Sequence, residues 1–203
     1  MSEEHYFSQT PQTKFIPKEI RVELAGHEVT VETSGGIFSP EHVDQGTAVL
    51  LAHLDRAPAG GNILDVGCGW GPIALALAFH APRATIWAID VNERSLELTR
   101  SNATKLGLKN IKVMRPEEVP ADLSFSGIWS NPPIRVGKQE LHNILSQWLP
   151  KLDAAAEALL VVQKNLGADS LHRWLEAEMP EGLSTIRLET SKSFRVLRVK
   201  NRA

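Results

Sequence analysis

Three glycines alternate with other residues in the string LDVGCGWGP at 64–72, between a predicted strand and a predicted helix. Gly67, Gly69 and Gly71 allow a tight backbone turn, and they let a ligand approach without meeting a Cβ atom. The helix that follows offers free N–H groups to polar ligand atoms. The loop predicts a nucleotide-type pocket. Its G-x-G-x-G spacing is one residue shorter than the dinucleotide fingerprint, and the glycines of an ordinary tight turn give the same pattern.

Two aspartates near this loop have the chemistry to hold a nucleoside. Asp90 ends the next predicted strand, TIWAID, at about the distance where an acidic residue meets two ribose hydroxyls in doubly wound folds. Its alternative role is the N-cap of the following helix, which Asn92 is equally able to fill. Asp65 lies among apolar residues of the first strand, so its carboxylate needs a cofactor ammonium group or ordered N–H groups as partners.

Three further residues near the predicted pocket have an open role. Glu117 and Glu118 follow the third predicted strand, where either is a candidate to accept a hydrogen bond from an adenine amino group. Solvated surface charges are the equal alternative for both. Cys68 is predicted to be a small packing residue rather than a nucleophile, because no base is near it in the sequence.

The string SNPPIRVGK at 130–138 combines a stiff turn with a polar side chain. Two consecutive prolines remove two backbone donors and fix two φ angles, so the stretch cannot continue a helix or lie in a central strand. Asn131 precedes the prolines, which pushes it to an extended conformation at the end of the preceding strand. The turn is therefore predicted to be rigid and to project an amide group.

The elements that position these residues follow from the hydrophobic pattern. From residue 62 onward, five apolar β-rich runs alternate with helical patterns and two more runs close the chain, which indicates an α/β protein with a Rossmann-like, doubly wound, mostly parallel sheet of seven strands. The runs LSTIRLETS and FRVLRVK leave no room for a helix between them, so the last strand is predicted to be antiparallel. Before residue 62, IRVEL and HEVTVET predict a hairpin, and Ser39 and Pro40 predict the start of a helix.

Chain length and hydrophobic content indicate how many domains the chain forms and which classes of protein it can belong to. A length of 203 residues with 42% hydrophobic content fits one domain. We expect this domain to comprise a hairpin and helix extension over 1–60 and a Rossmann-like core over 61–203. No apolar run approaches the roughly 20 residues that span a bilayer, and the N-terminal string MSEEHYFSQT is acidic and polar, so a cytoplasmic protein without a membrane partner is expected.

Cysteine content and net charge exclude further classes. A single cysteine excludes an internal disulfide, and neither it nor the seven histidines show metal-ligand spacing, so no metal is expected. The formal net charge of -2 gives no overall attraction to nucleic acid, so contact with a polyanion requires a local basic patch. Arg135, Lys138 and Lys164 are the candidates, together with the basic C-terminal string KSFRVLRVKNR.

The strings LDVGCGWGP, IDVNERSLELTRSNA and SNPPIRVGK, in that order, resemble the motifs of class I S-adenosylmethionine-dependent methyltransferases. More narrowly, the chain resembles the methyltransferase small domain family, which contains bacterial ribosomal RNA guanine-N2 methyltransferases, and within it a single-domain branch. The similarity runs almost end to end, from HYFSQTPQ through GIFSPEHVDQGT and VVQKNLGADS to FRVLRVK. The Asn-Pro-Pro turn is the selective motif, because in this superfamily it marks methylation of amino nitrogens.

The resemblance implies a mechanism and roles for individual residues. The side-chain oxygen of Asn131 and the carbonyl of Pro132 would accept the two N–H bonds of the target amine and aim its lone pair at the sulfonium methyl. Phe38 would lie beside the cofactor, with Gly46 and Thr47 near its amino-acid end. The predicted catalytic turn is Asn131, Pro132, Pro133 and Ile134. The predicted S-adenosylmethionine site comprises Phe38, Gly46, Thr47, Asp65, Gly67, Cys68, Gly69, Gly71, Pro72, Asp90, Val91 and Glu117. The predicted substrate-binding residues are Arg135, Lys138 and Lys164.

One position departs from the pattern of the superfamily. The fourth residue of the turn is often an aromatic residue that stacks on the target base, whereas this chain has Ile134. Stacking on an aromatic side chain contributes about 1–3 kcal/mol per base, so another residue is needed to supply that contact. Phe38, Trp70 and Trp129 are the candidates, and Ile134 itself can pack on a ring face.

The leading hypothesis is a methyltransferase that acts on an exocyclic amino group of a base in RNA. Guanine N2 in ribosomal RNA, free or in a ribosomal subunit, is the first candidate target. Adenine N6 in RNA or DNA and the amide nitrogen of a protein glutamine are alternatives with the same turn chemistry. A nicotinamide oxidoreductase has a similar fold, but the glycine spacing and the Asn-Pro-Pro turn argue against it. A non-catalytic RNA-binding protein is the remaining alternative.

Overall fold

The computed structural model describes residues 16–133 and 136–203 of the chain. The described part begins with an antiparallel hairpin formed by β1 (Lys18–Leu24) and β2 (His27–Thr33). Ala25 and Gly26 form its two-residue turn with φ angles of 52° and 80°. This left-handed backbone matches the twist of the flanking strands, which is the usual chemistry of a tight hairpin. The predicted hairpin is confirmed.

A seven-stranded sheet forms the centre of the molecule. Its strands are β3 (Gly60–Val66), β4 (Arg83–Ile89), β5 (Ile111–Met114), β6 (Phe125–Ser130), β7 (Leu152–Gln163), β8 (Leu183–Ser191) and β9 (Phe194–Asn201). Their order across the sheet is β5-β4-β3-β6-β7-β9-β8. Strands β3 to β7 pair in parallel, and β9 is antiparallel to both of its neighbours. The doubly wound sheet with an antiparallel last strand is confirmed.

Five helices accompany the strands within the described ranges. They are α1 (Gln45–Leu51), α2 (Pro72–His80), α3 (Glu93–Lys105), α4 (Lys138–Trp148) and α5 (Ala168–Glu178). One buried cluster joins Ile63 of β3 to Leu77 of α2, and another joins Leu64 of β3 to Leu145 of α4. Because successive strand residues point to opposite faces, the sheet has a core on each side. None of these helices is long and apolar enough to cross a membrane.

The helix predicted to start at Ser39 and Pro40 starts later, so that boundary was wrong. Ser39 has a φ angle of 46°, and its hydroxyl donates to the carbonyl of His42. Helix α1 begins at Gln45 and is capped by Asp44, whose Oδ2 accepts hydrogen bonds from the N–H groups of the second and third helical residues. The string contains two start signals, and the carboxylate satisfies the free helical N–H groups where Ser39 does not.

The hairpin and the segment after it are tied to the core by buried polar contacts. The side chain of Asn102 on α3 exchanges two hydrogen bonds with the backbone of Glu32 and donates a third to the carbonyl of Trp70. Arg94 donates to the carbonyl of Gly35 at 2.6 Å. These contacts fix the end of β2 and the segment that follows it beside the glycine loop.

Candidate active site

A cavity of about 360 Å³ opens at the carboxyl ends of the central strands. It is lined by Val66, the last residue of β3, by Ile89 and Asp90 at the end of β4, and by Asn131 directly after β6. The chain runs outward from β3 to β5 and returns on the other side with β6, so β3 is the point where the strand order reverses. Open α/β sheets bind ligands in the crevice at this point, and the volume suits a small molecule.

The glycine loop forms one wall of this cavity. Gly67, Gly69 and Gly71 have φ angles of 78°, 59° and 98°, a left-handed region that side chains with a Cβ rarely adopt. The backbone N–H groups of Gly67 and Cys68 donate to the carbonyl of Ile89, which ties the loop to the end of β4. A Cβ on Gly71 would lie 3.1 Å from Thr99, so this glycine allows α2 and α3 to pack closely.

Asp90 lines the cavity and is bound to the loop. Its Oδ2 accepts from the N–H of Gly69 at 3.0 Å, and its Oδ1 accepts from the N–H of Asn92 at 2.9 Å. Burial raises the pKa of Asp90, and the hydrogen bonds from these N–H groups oppose that shift. Asn92 is the N-cap of α3, since its side chain accepts from the N–H of Arg94. Asp90 is therefore not needed as the helix cap.

Asp65 lies behind the loop rather than in the cavity. It is fully buried, and its Oδ2 accepts from the N–H of Ala74 in the first turn of α2 at 3.0 Å. Its Oδ1 has no hydrogen-bond partner among the described residues. Burial raises the pKa of Asp65 to about 8. A backbone N–H group, one of the two kinds of partner predicted from the sequence, therefore binds Oδ2 of Asp65.

The Asn-Pro-Pro turn lines the cavity beside the glycine loop, because β6 is the neighbour of β3 and a Cβ on Gly67 would lie 3.8 Å from Pro133. Asn131 is half-buried, and its Nδ2 donates to Oδ2 of Asp44 at 2.9 Å and to Oγ1 of Thr47 at 3.1 Å. Pro133 also lines the cavity, whereas Pro132 is buried and does not. Ile134 and Arg135 lie outside the described residues. The contact with Asp44 joins the turn to the N-cap of α1, 87 residues earlier in the chain.

Most of the residues predicted from the sequence converge on this cavity. Those that line it are Phe38, Thr47, Gly67, Cys68, Gly69, Pro72, Asp90, Val91, Asn131 and Pro133. Those that do not line it are Gly46, Asp65, Gly71, Glu117, Pro132, Lys138 and Lys164. Gly46, Asp65, Gly71 and Pro132 are direct neighbours of the lining residues, so they support the walls of the cavity.

The two glutamates after β5 point to other partners. The carboxylate of Glu117 is largely exposed and lies 3.6 Å from the guanidinium of Arg115. The carboxylate of Glu118 accepts from the backbone N–H of Arg115. Their neighbour Pro116 lines the cavity instead. The contact of either glutamate with adenine stays a prediction.

The residues proposed to contact the substrate differ in their exposure and in their distance from the cavity lining. Trp70 and Trp129 are each only 1% exposed, so neither offers a ring face to a substrate base, whereas Phe38 is 38% exposed at the cavity. Lys138 is the exposed first residue of α4. Lys164 lies directly after β7, where its backbone N–H donates to the carbonyl of Ser193. Neither lysine lines the cavity.

Two groups of lining residues had no predicted role. Asp44 occurs in the string DQGT before an apolar run, which is the sequence signal of a helix N-cap but not of a contact with Asn131. The other group lies on one face of α4 at helical spacing: Glu140, Ile144, Gln147 and Trp148. The sequence shows that these four share a face, but not that the face meets the cavity.

The amino-acid sequence matches a family profile and several known proteins. The profile of the methyltransferase small domain matches residues 28–198. The chain is 36% identical over 200 residues to the uncharacterized protein YbxB of Bacillus subtilis (strain 168), and this match covers 97% of the chain and 98% of YbxB. It is 31% identical over 163 residues to the ribosomal RNA small subunit methyltransferase C of Ectopseudomonas mendocina (strain ymp), which covers 77% of this chain and 48% of that protein.

Solved structures show the same fold. The 16S rRNA N2 methyltransferase RsmC of T. thermophilus, solved in complex with AdoMet and guanosine, matches 95% of this chain with a TM-score of 0.75 and 22% identity. The match covers 52% of RsmC, so the chain spans about half the length of RsmC and of the curated ribosomal RNA methyltransferase. On the profile match and the identity to these relatives, the chain belongs to the methyltransferase small domain family, as its three motifs predicted.

Proposed function

We propose that the chain is an S-adenosylmethionine-dependent methyltransferase that acts on an exocyclic amino group of a base in RNA, with guanine N2 of ribosomal RNA as the target. The observation that carries the proposal is the position of Asn131, held at the same cavity that the glycine loop and Asp90 line. A cofactor bound along the loop and a substrate amine at the turn would meet in one cavity.

The cavity fits the chemistry of S-adenosylmethionine. Asp90 presents a carboxylate able to accept from ribose hydroxyls, and its contact with Gly69 keeps it beside the loop. No atom lies within 4 Å of where a Cβ on Gly69 would stand, so a ligand has room to approach the backbone there. When bound, the cofactor supplies an electrophilic methyl group on a sulfonium centre. The sequence prediction that Phe38 and Val91 contact it is retained, since both line the cavity.

The residues around Asn131 favour catalysis by orientation. Both hydrogens of its Nδ2 face protein acceptors, so its Oδ1 is the atom left to accept from a substrate amine. An amine on a base is a poor nucleophile because its lone pair is delocalised into the ring, and fixed acceptors for its N–H bonds favour a lone pair directed at the methyl group. Cys68 supplies no alternative nucleophile, because burial raises the pKa of its thiol well above the usual value.

The nature of the substrate is inferred from the relatives. The curated relative is a ribosomal RNA methyltransferase, and RsmC is an N2 methyltransferase solved with guanosine. The exposed ring of Phe38 at the cavity suits stacking on a base, which the missing aromatic residue at position 134 would otherwise provide. We keep Arg135, Lys138 and Lys164 as proposed phosphate contacts, and a ribosomal RNA substrate agrees with the expected cytoplasmic location.

Mapping the methylated atom tests the proposal. The protein is incubated with S-adenosylmethionine carrying a tritiated methyl group, and with total RNA or small ribosomal subunits from a strain that lacks the gene. The expected product is labelled N2-methylguanosine in ribosomal RNA, and Asn131→Ala, which should incorporate the label much more slowly, is the control. Label in N6-methyladenosine or in protein glutamine would identify the alternative substrates, and no label in any fraction would favour a non-catalytic RNA-binding protein.

A further inference from the structure

We propose that Asp44 and Thr47 form a clamp that selects one orientation of the Asn131 side-chain amide, and that this clamp positions Asn131 for methyl transfer. The inference rests on the proposed function, because it assumes that the Asn131 oxygen contacts the substrate. It assigns to the N-terminal extension a direct part in the chemistry of a site whose glycine loop and Asn-Pro-Pro turn both lie in the core.

The clamp is defined by two acceptors on one donor group. Oδ2 of Asp44 lies 2.9 Å from Nδ2 of Asn131, and Oγ1 of Thr47 lies 3.1 Å from the same nitrogen. Thr47 is 3% exposed, so its hydroxyl meets Asn131 away from competing water. All three side chains line the cavity. An amide group has two hydrogens on nitrogen, and this pair of acceptors accounts for both.

The clamp discriminates between the two flip states of the amide. Rotation of the amide by 180° would place Oδ1 of Asn131 against the carboxylate of Asp44, so two acceptors would face each other without a proton between them. The half-buried Asp44 oxygen would then lose one donor, and such an unmade hydrogen bond is costly. The observed orientation therefore directs Oδ1 away from Asp44 and leaves it able to accept from a substrate amine.

The Asp44 carboxylate of the clamp is itself held by hydrogen bonds from the start of α1. Oδ2 of Asp44 also accepts from the backbone N–H groups of Gly46 at 2.8 Å and Thr47 at 3.3 Å. Helix α1, which begins at these residues, packs on β7 and β9. A Cβ on Gly46 would lie 2.9 Å from Oδ2 of Asp44 and 2.9 Å from the ring of Phe194. Glycine at position 46 therefore leaves room for Asp44 to sit at the helix N-terminus and reach Asn131.

Matched substitutions separate the clamp from a merely structural role. Thr47→Val removes the acceptor with little change of shape, and Thr47→Ser restores a hydroxyl. Asp44→Ser keeps a helix N-cap that is too short to reach Asn131, and Asp44→Asn keeps an oxygen at the same reach. Thr185→Val serves as an outside control, because Thr185 is a buried threonine on β8 whose hydroxyl has no partner among the described residues.

Two measurements are made on the full chain. Proton exchange of the Asn131 side-chain NH₂ group, assigned by its loss in Asn131→Ala, is followed by NMR in protein labelled with ¹⁵N-asparagine and needs no substrate. Turnover and cofactor affinity are then measured with the substrate identified above. We expect faster exchange and a kcat lower by about 10- to 100-fold in Thr47→Val and Asp44→Ser. S-adenosylmethionine affinity should stay nearly normal in Asp44→Ser, because Asp44, unlike Thr47, is not among the predicted cofactor contacts.

The outcomes distinguish the clamp from the proposed function. Recovery of slow exchange and of most of the lost turnover in Thr47→Ser and Asp44→Asn, with no effect of Thr185→Val, supports the clamp. Fast exchange in the wild type would overturn the clamp alone. Full turnover in Thr47→Val and Asp44→Ser, together with strongly reduced turnover in Asn131→Ala, would do the same. Full turnover in Asn131→Ala would overturn the proposed role of Asn131. Melting temperatures identify any variant that fails to fold, and the conservative partner then decides the matter.

Discussion

The carboxylate of Asp90 holds the backbone N–H of Gly69 at 3.0 Å, so the acidic end of β4 and the glycine loop form one unit. The second oxygen of Asp90 accepts from the N–H of Asn92 at the start of α3. Each oxygen can accept further hydrogen bonds. A ligand at Asp90 would therefore find a carboxylate that is already fixed in direction by the loop and by the helix.

Replacement of Asp90 by alanine should weaken cofactor binding and loosen the loop. The variant loses an acceptor for ribose hydroxyls, which is expected to cost about 1–3 kcal/mol of binding free energy. Because the N–H of Gly69 also loses its partner, a lower melting temperature is expected as well. Calorimetric titration with S-adenosylmethionine measures the first effect. Asp153→Ala is the control, because Asp153 lies at the amino end of β7, whereas the cavity lies at the carboxyl ends of the parallel strands. Unchanged affinity in Asp90→Ala would contradict the assignment.

Replacement of Asn131 by alanine should lower turnover and spare cofactor binding. The substitution removes one of two acceptors for the substrate amine, and misplacement of a reacting group can cost about 100-fold in rate. The two prolines still fix the backbone of the turn, so the fold should persist. A much lower kcat with nearly normal S-adenosylmethionine affinity is the pattern of a lost transition-state interaction. Wild-type turnover, or methylation of a ring carbon or ribose oxygen, would contradict it.

The parts of the site that local motifs define are predictable from the sequence. The glycine loop, Asp90 and Asn131 each directly follow an apolar run, and parallel strands end at the same edge of a sheet, so these groups had to meet. The antiparallel last strand follows from the missing helix before it. Its insertion between β7 and β8 is not predictable in this way, because the hydrophobic pattern does not show which edge a returning strand takes.

Contacts that depend on how the extension docks are not predictable from local patterns. The string from Ser39 to Thr47 offers two helix starts, and only the three-dimensional structure shows that the carboxylate of Asp44 is the cap. The contact of Asp44 with Asn131 spans 87 residues and requires α1 to pack on β7. The contact of Glu117 with adenine, predicted from its position after a strand, stays a prediction, and its carboxylate lies 3.6 Å from Arg115.

Asp65 should make the stability of the cofactor-free protein depend on pH. An ordinary aspartate has a pKa of 3.8, and burial raises the pKa of Asp65 to about 8 in the folded chain. Between these two pH values the folded chain therefore binds one proton more than the unfolded chain. The stabilisation is complete below about pH 4 and is lost as the pH rises towards 8. Asp65→Asn keeps an oxygen for the N–H of Ala74 but does not titrate.

Urea unfolding of the wild type and of Asp65→Asn at pH 5, 6, 7 and 8 measures this dependence. The free energy of unfolding of the wild type should fall relative to that of the variant as the pH rises. Asp90, whose pKa is also raised by burial, is present in both proteins, so its own titration largely cancels in the difference. Parallel curves for the two proteins would show that Asp65 does not titrate in this range.

Neutralising Lys138 and Lys164 should weaken RNA binding without affecting the cofactor. Each phosphate contact that is lost should reduce the slope of binding against salt concentration by about one unit. The double variant Lys138→Ala and Lys164→Ala is compared with Lys18→Ala and Lys109→Ala, which removes two exposed charges on the hairpin and after α3. A full salt slope in the first double variant would instead direct attention to Arg198 and Lys200 on β9, which share the carboxylate of Glu157.

Replacement of Gly46 by alanine should affect turnover more than cofactor binding. The family resemblance implied that Gly46 lies near the amino-acid end of the cofactor, but its added Cβ would stand 2.9 Å from Oδ2 of Asp44 and from the ring of Phe194. Asp44 must therefore shift, which disturbs its contact with Asn131, and overpacking of this kind costs about 1–3 kcal/mol of stability.

Gly60→Ala is the matched control, because no atom lies within 4 Å of an added Cβ at that position and its φ angle is ordinary. Calorimetry with S-adenosylmethionine and steady-state kinetics on both variants separate the two interpretations of Gly46. Retained affinity with reduced kcat in Gly46→Ala indicates that glycine makes room for Asp44. Reduced affinity with retained kcat indicates that the residue contacts the cofactor, and the glycine would then have no part in the orientation of Asn131.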